Sequence, residues 1–164
     1  MDFGAADNVT ACNGTVLNST SYNNSEDGFG VNARQGGNTE WDYINVVTYN
    51  NSAAFQIYEA AQVGIYNSIL HHNNGQTNFG GSILIYSGGA TSPATKVTLR
   101  NNIFYKPRVG QHIGSYQGVP PTIDSDYNIW VPRSSDSENG FEYPYGTMST
   151  YNNPPSFIGP NDCV

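Results

Sequence analysis

The phrase Tyr22-Asn23-Asn24-Ser25 returns as Tyr49-Asn50-Asn51-Ser52 and, with the aromatic exchanged, as His72-Asn73-Asn74-Gly75. Each copy leads into an aromatic and then an aliphatic residue: Phe29 with Val31, Phe55 with Ile57, and Phe79 with Ile83 and Ile85. From Asn24 to Asn51 is 27 positions, and from Asn51 to Asn74 is 23. Self-similarity at a period of about 20 to 50 residues belongs to solenoids, propellers and arrays, whose units bury a core only by stacking.

A second strand precedes each Asn-rich turn: Tyr43–Val47, Tyr66–Leu70, Arg100–Phe104 and Asp126–Trp130. Aligned on Asn45, Ser68, Asn102 and Asn128, the next column reads Val46, Ile69, Ile103 and Ile129. This alignment predicts an aliphatic column filling the interior of a stacked coil. Beside it runs a column of amides and hydroxyls that bond from layer to layer. A weaker first coil lies at Val16–Ser21. The interval from Ser68 to Asn102 is 34 positions, and its excess is the Gly/Ser/Pro segment 87–93, read as a loop. After Pro132 the pattern gives way to a Tyr/Pro-rich tail expected to cap the stack.

At 164 residues the chain fits one domain. Charged residues are 12%, half the globular norm, yet 13% aromatics and recurrent Val/Ile runs separate it from a disordered chain. A net charge of −7 with only six Lys and Arg argues against nucleic-acid or anionic-membrane partners. No apolar run approaches the roughly 20 residues of a membrane span. Met1-Asp2 begins no secretory leader, and the repeat is already running by Leu17. Either a leader has been removed or the sequence is a piece of a longer protein, and the second reading is preferred.

Cys12 and Cys163 stand near opposite ends of the chain. A disulfide needs Cα atoms within about 7 Å. Layers rising by about 4.8 Å bring the two together only if the tail folds back along the stack, so the pairing stays open. Sequons at Asn8, Asn13, Asn18, Asn23 and Asn50 fit N-glycosylation on an extracellular or cell-surface protein. An Asn/Ser/Thr-rich solenoid also produces such triplets without glycosylation.

Residues 15 to 133 resemble the right-handed parallel β-helix superfamily, the pectate-lyase-like extracellular proteins. The closing stretch Asp124–Trp130 followed by Pro155-Ser156-Phe157 is similar to the end of many of them. The resemblance implies an all-β fold: a single right-handed parallel β-helix of about five coils, with an irregular cap over 134–164. Glu26-Asp27-Gly28-Phe29-Gly30 resembles the Asp-Asp-Gly-Phe-Asp by which one group of pectate lyases binds Ca2+. Glu40 and Asp42, one coil later, would complete the set, since calcium takes about six to eight oxygens. That group's general base is a Lys about a coil and a half downstream, and no Lys stands between Gly30 and Lys96. The catalytic site is therefore expected to be incomplete. Asn38-Thr39-Glu40 and Gln111-His112-Ile113-Gly114 resemble fragments of the polygalacturonase branch, without its pair of Asp residues.

Tyr58, Tyr86 and Tyr116 align in one column beyond Ile57 and Ile85, so they are expected to point outward, for sugar or partner binding, or to lie under the Tyr-rich tail. Tyr66, Arg100 and Asp126 form another outward column, with Arg100 paired to Asp126. His71-His72 invites a metal reading, but alternation along a strand sends neighbours to opposite faces. The turn position, with His72 equivalent to Tyr49, is preferred. Two functions follow. One is a secreted or surface protein that binds or processes polysaccharide near Glu26, Asp27 and the tyrosine column. The other is a structural filament or adhesin subunit whose copies stack end to end.

Overall fold

The computed structural model describes residues 2–4, 11–32, 38–58, 61–73, 81–86, 95–106, 111–116, 121–131, 141–142, 144–145, 147–148 and 159–163. All regular structure among them is β. Three sheets of parallel strands recur in fixed order along the chain. The first holds β1 Asp2–Gly4, β4 Asp27–Asn32, β7 Ala53–Tyr58, β10 Gly81–Tyr86, β13 Gln111–Tyr116 and β16 Phe141–Glu142. The second holds β2 Ala11–Leu17, β5 Asn38–Ile44, β8 Gln62–Tyr66, β11 Lys96–Arg100 and β14 Thr122–Asp126. The third holds β3 Thr20–Tyr22, β6 Val47–Tyr49, β9 Ile69–His71, β12 Ile103–Tyr105 and β15 Ile129–Val131. Each strand pairs with the strand three places on, the arrangement of a β-solenoid. Among the described residues only β17 Pro144–Tyr145 and β18 Thr147–Met148 pair antiparallel. Parallel strands begin at Asp2, ahead of residue 15 where the repeat first becomes readable. Within the tail, β16 continues the first sheet.

The corner between second and third sheets is two residues long, and its first residue always has positive φ: Asn18, Asn45, Asn67, Asn101 and Tyr127, at 49 to 59°. The corner after the third sheet repeats the device at Asn23, Asn50, His72 and Lys106. Asn is among the few non-glycine residues that enter the left-handed region readily. The repeated Asn is thus first a bending requirement.

In the inner layers the residue after the left-handed position is buried, whereas Asn24 in the first layer is exposed. Ser68, Asn102 and Asn128 are buried in one such column, Asn51 and Asn73 in the other. Asn102 Nδ2 donates to Asn128 Oδ1 at 3.0 Å and to Ile65 O at 2.8 Å. Its backbone N donates to Asn128 Oδ1 at 2.9 Å. In the second column Asn24 Nδ2 donates to Asn51 Oδ1 (2.8 Å), Asn51 to Asn73 (3.1 Å), and Asn73 to Thr48 O (3.0 Å). These bonds satisfy the corner amides that no strand can pair.

Two alignments read from sequence shift by one residue. Val46, not Asn45, lies opposite Ser68, because Ile44 pairs with Tyr66 and Val47 with Ile69. Val46 is buried as expected, but Ile69 and Ile129 face solvent at 39% and 44% exposure and Ile103 is half-buried. The third sheet's interior column is instead Thr48, Leu70, Phe104 and Trp130. Likewise His71, not His72, lies opposite Tyr49.

The core joins Phe29, Phe55, Ile83 and Ile113 of the first sheet to Tyr43, Ile65 and Leu99 of the second, and to Leu70, Phe104 and Trp130 of the third. Trp41 lies across Gly14 and packs against that core at its first layers. At the opposite end, Gly159–Cys163 forms a partial next layer. Cys163 bridges Ile129, accepts from Trp130 N and donates to Asn128 O, each at 2.8 Å. Both cysteines are free, Cys12 on the edge strand β2 and Cys163 in the partial layer beyond β15 at the opposite end.

Candidate functional site

The acids singled out from sequence divide between two sheets. Asp27 opens β4 in the first sheet, with Glu26 exposed in the preceding corner. With its amide oriented so that the nitrogen faces these acceptors, Gln56 donates to the Asp27 carboxylate, at 2.9 Å to Oδ1, and to the Tyr58 hydroxyl at 3.0 Å. This brings Asp27 together with Tyr58. Glu40 and Asp42 instead stand on β5, in the second sheet. Among the described residues no three His, Cys, Asp or Glu side chains converge on a metal position. Glu26 and Asp27 thus stand at the start of a first-sheet strand, and Glu40 and Asp42 on a second-sheet strand.

Tyr58, Tyr86 and Tyr116 share one register column, as expected, beside the fully buried Ile57 and Ile85. The Tyr58 and Tyr86 rings stack at 4.7 Å with planes 7° apart. The facing sides of these two rings therefore cover each other. The side chain of Tyr116 lies outside the described residues. The third sheet carries a similar ladder: Tyr22 on Tyr49 at 4.9 Å, and Tyr49 on His71 at 5.1 Å.

A groove opens on the outer face of the second sheet. Its volume is about 170 Å³, and Glu40, Asp42, Gln62, Tyr66, Lys96 and Thr98 line it around Gly64. Outward positions of a parallel sheet form straight columns one strand spacing apart. One column runs Glu40, Gln62, Lys96; the next runs Asp42, Gly64, Thr98, Asp124; the third runs Ile44, Tyr66, Arg100, Asp126. Gly64 creates the depression. A Cβ there would strike Asp42 Oδ1 and the Tyr66 ring, which lies across the glycine.

Tyr66 is the groove's electrostatic centre. Burial, with help from Asp42, Glu40 and Asp124, pushes its phenol above the usual range against the pull of Arg100. It is therefore a neutral donor at neutral pH. Arg100 pairs with Asp124 (Nη2 to Oδ1, 2.6 Å) rather than with Asp126 opposite it. Asp126 already accepts from Asn161 N at 3.0 Å and Nδ2 at 3.1 Å. The Arg100–Asp124 pair is partly exposed and contributes about 0.2–1 kcal/mol. Lys96 shares a column with Glu40 two strand spacings, about 10 Å, away, a placement that the long interval before Lys96 hides in the sequence.

Four of the five sequons fall on described residues. Asn13 is exposed on β2, and its Oδ1 accepts from Glu40 N. Asn18, Asn23 and Asn50 are the left-handed corner residues, which gives each a conformational reason to be Asn. Asn50 Nδ2 donates to Asn23 Oδ1 at 2.6 Å. Asn8 lies outside the described residues.

Compared with known proteins, the chain matches no family model, no curated protein and no solved structure.

Proposed function

We propose that the protein is a right-handed parallel β-helix of about five coils, pectate-lyase-like in kind, working outside the cell or at its surface as a polysaccharide-binding protein. The observation that carries this reading is the groove over Gly64. It sets two carboxylates, a carboxamide, a hydroxyl, an ammonium and a phenol on one straight face, all able to meet sugar hydroxyls. Glu40 and Asp42 accept from hydroxyl pairs, Lys96 offers a cation to a uronate carboxylate, and Tyr66 gives a donor and an apolar ring. If it also processes the chain it binds, acidic glycans are the substrate class; no step is assigned to calcium.

Affinity electrophoresis in gels containing polygalacturonate, alginate or a neutral glucan, with and without calcium, tests this. Retardation by at least one polymer is expected, and it should be lost in Tyr66→Ala and in Lys96→Ala. Free migration of the wild type in every gel would end the proposal, as would unchanged retardation of both variants.

A second reading, a filament or adhesin subunit, is supported by β2 and β3. Among the described residues, neither has a strand neighbour on its outer edge. Such edges recruit a further strand, and head-to-tail repetition would make fibres. Electron micrographs of the concentrated protein decide: filaments favour this reading, and dispersed particles count against it.

A further inference from the structure

Alternation along a strand would send His71 and His72 to opposite faces. The structure does otherwise. His71 ends β9, and His72 takes a left-handed backbone, φ 49°. The corner swings the second imidazole round until the two Nδ1 atoms are 3.1 Å apart. Each ring is held from outside the pair. His71 stacks on Tyr49 at 5.1 Å with planes 14° apart, and His72 meets Tyr105 edge-on at 5.7 Å. The corresponding corner positions carry Asn23, Asn50 and Lys106, and the residues before them are Tyr22, Tyr49 and Tyr105. Bending the chain needs only Asn, and stacking needs only Tyr, so neither accounts for paired imidazoles.

We propose that His71 and His72 form a surface chelate for a late first-row transition ion, Cu2+ above all, held through the two Nδ1 atoms. With metal–nitrogen bonds of about 2.0–2.1 Å, nitrogens 3.1 Å apart subtend about 95–100° at a shared ion. That is a cis pair usable in a tetragonal or tetrahedral site. Imidazole suits copper, nickel and zinc, and copper(II) binds most tightly of the series. His72 is exposed, so water can complete the coordination. The chain's charge of −7 attracts cations generally. The alternative for two imidazoles so placed is a plain N–H···N hydrogen bond, with no affinity for metal.

The test uses the whole 164-residue chain carrying Cys12→Ser and Cys163→Ser, so that no thiol competes. Titration with CuCl2 is followed by calorimetry and by nitrogen hyperfine structure in the electron paramagnetic resonance spectrum. One equivalent should bind with a two-nitrogen signature. His72→Asn and His71→Tyr restore the residue types of the neighbouring layers and so preserve the fold. Each should weaken binding at least tenfold, while His112→Asn leaves it unchanged. Absence of Cu2+ binding overturns the proposal, and so does binding that survives both substitutions.

Discussion

Asn128 and Asp162 meet at the end of the stack in the same way that two asparagines meet within it. Asn128 N donates to Asp162 Oδ1 at 2.7 Å, just as Asn102 N donates to Asn128 Oδ1 at 2.9 Å one layer earlier. Asp162 thus takes the place of the next ladder amide. It also accepts from Ser125 Oγ, Trp130 Nε1 (3.2 Å) and Gly159 N (3.1 Å). Asp162→Ala should leave these donors short of a partner and cost about 1.5–3 kcal/mol, the range for a hydrogen bond to a charged group. The midpoint of urea unfolding measures it; an unshifted midpoint would mean that the terminal segment contributes nothing to the stack.

The same carboxylate makes the cap acid-labile. Burial pushes the Asp162 carboxyl up, but the bonds from Ser125, Asn128, Trp130 and Gly159 outweigh it and hold it below the usual range. A carboxyl lowered in the folded state stabilises above its unfolded value and loses that contribution as pH falls through its folded value. Stability should therefore decline below about pH 4. In Asp162→Asn the decline should be shallower. Identical profiles would assign acid sensitivity elsewhere.

Asn102→Ala should be more damaging than the cap variant. It removes the acceptor of Ser68 N and the side-chain donor to Ile65 O, and leaves Asn128 Oδ1 with only the backbone N of residue 102, all in the interior. Buried polar groups left unsatisfied cost about 1–3 kcal/mol each. Thermal unfolding should shift downward by several degrees or more.

Tyr127 is the one left-handed corner between the second and third sheets that is not Asn, at φ 59° and 59% exposed. Tyr127→Gly should relieve backbone strain and stabilise by about 0.5–1 kcal/mol. A fall in the thermal midpoint would show that the tyrosine has contacts worth more than its strain.

Gly64→Ala separates groove from fold. The new methyl can be accommodated only by moving Asp42 and Tyr66, both side chains on the outer face. Polysaccharide retardation should drop severalfold with less change in stability. Full retention would place the binding surface elsewhere.

The period of the repeat was readable because corners recur, but its phase was not. Two kinds of Asn sit next to each other in a corner, one bent and one buried, and sequence does not label them. Where coil two has Asn45-Val46 and coil three has Asn67-Ser68, matching by hydrogen-bonding capacity pairs Asn45 with Ser68. Matching by backbone conformation pairs Asn45 with Asn67, and the backbone wins. That one-place slip moved Ile69 and Ile129 from surface to core on paper. The tyrosine column was legible because its strands carry the regular alternation Phe55-Gln56-Ile57-Tyr58 and Ile83-Leu84-Ile85-Tyr86. The groove was not, since it depends on Gly64 standing between Asp42 and Thr98 in three separate layers. Asp162 was equally hidden, as a single acid after a tail that shows no repeat.

The chain has two tryptophans, and the fold puts one near each end. Trp41 covers Gly14 in the opening layers, while Trp130 stacks on Phe104 at 3.8 Å and binds the cap through Asp162. A linear stack held by nearest-neighbour contacts can fray from either terminus. Each indole is therefore a built-in optical probe of its own end. Paired Trp41→Phe and Trp130→Phe proteins would report, by emission alone, the direction in which the molecule unzips.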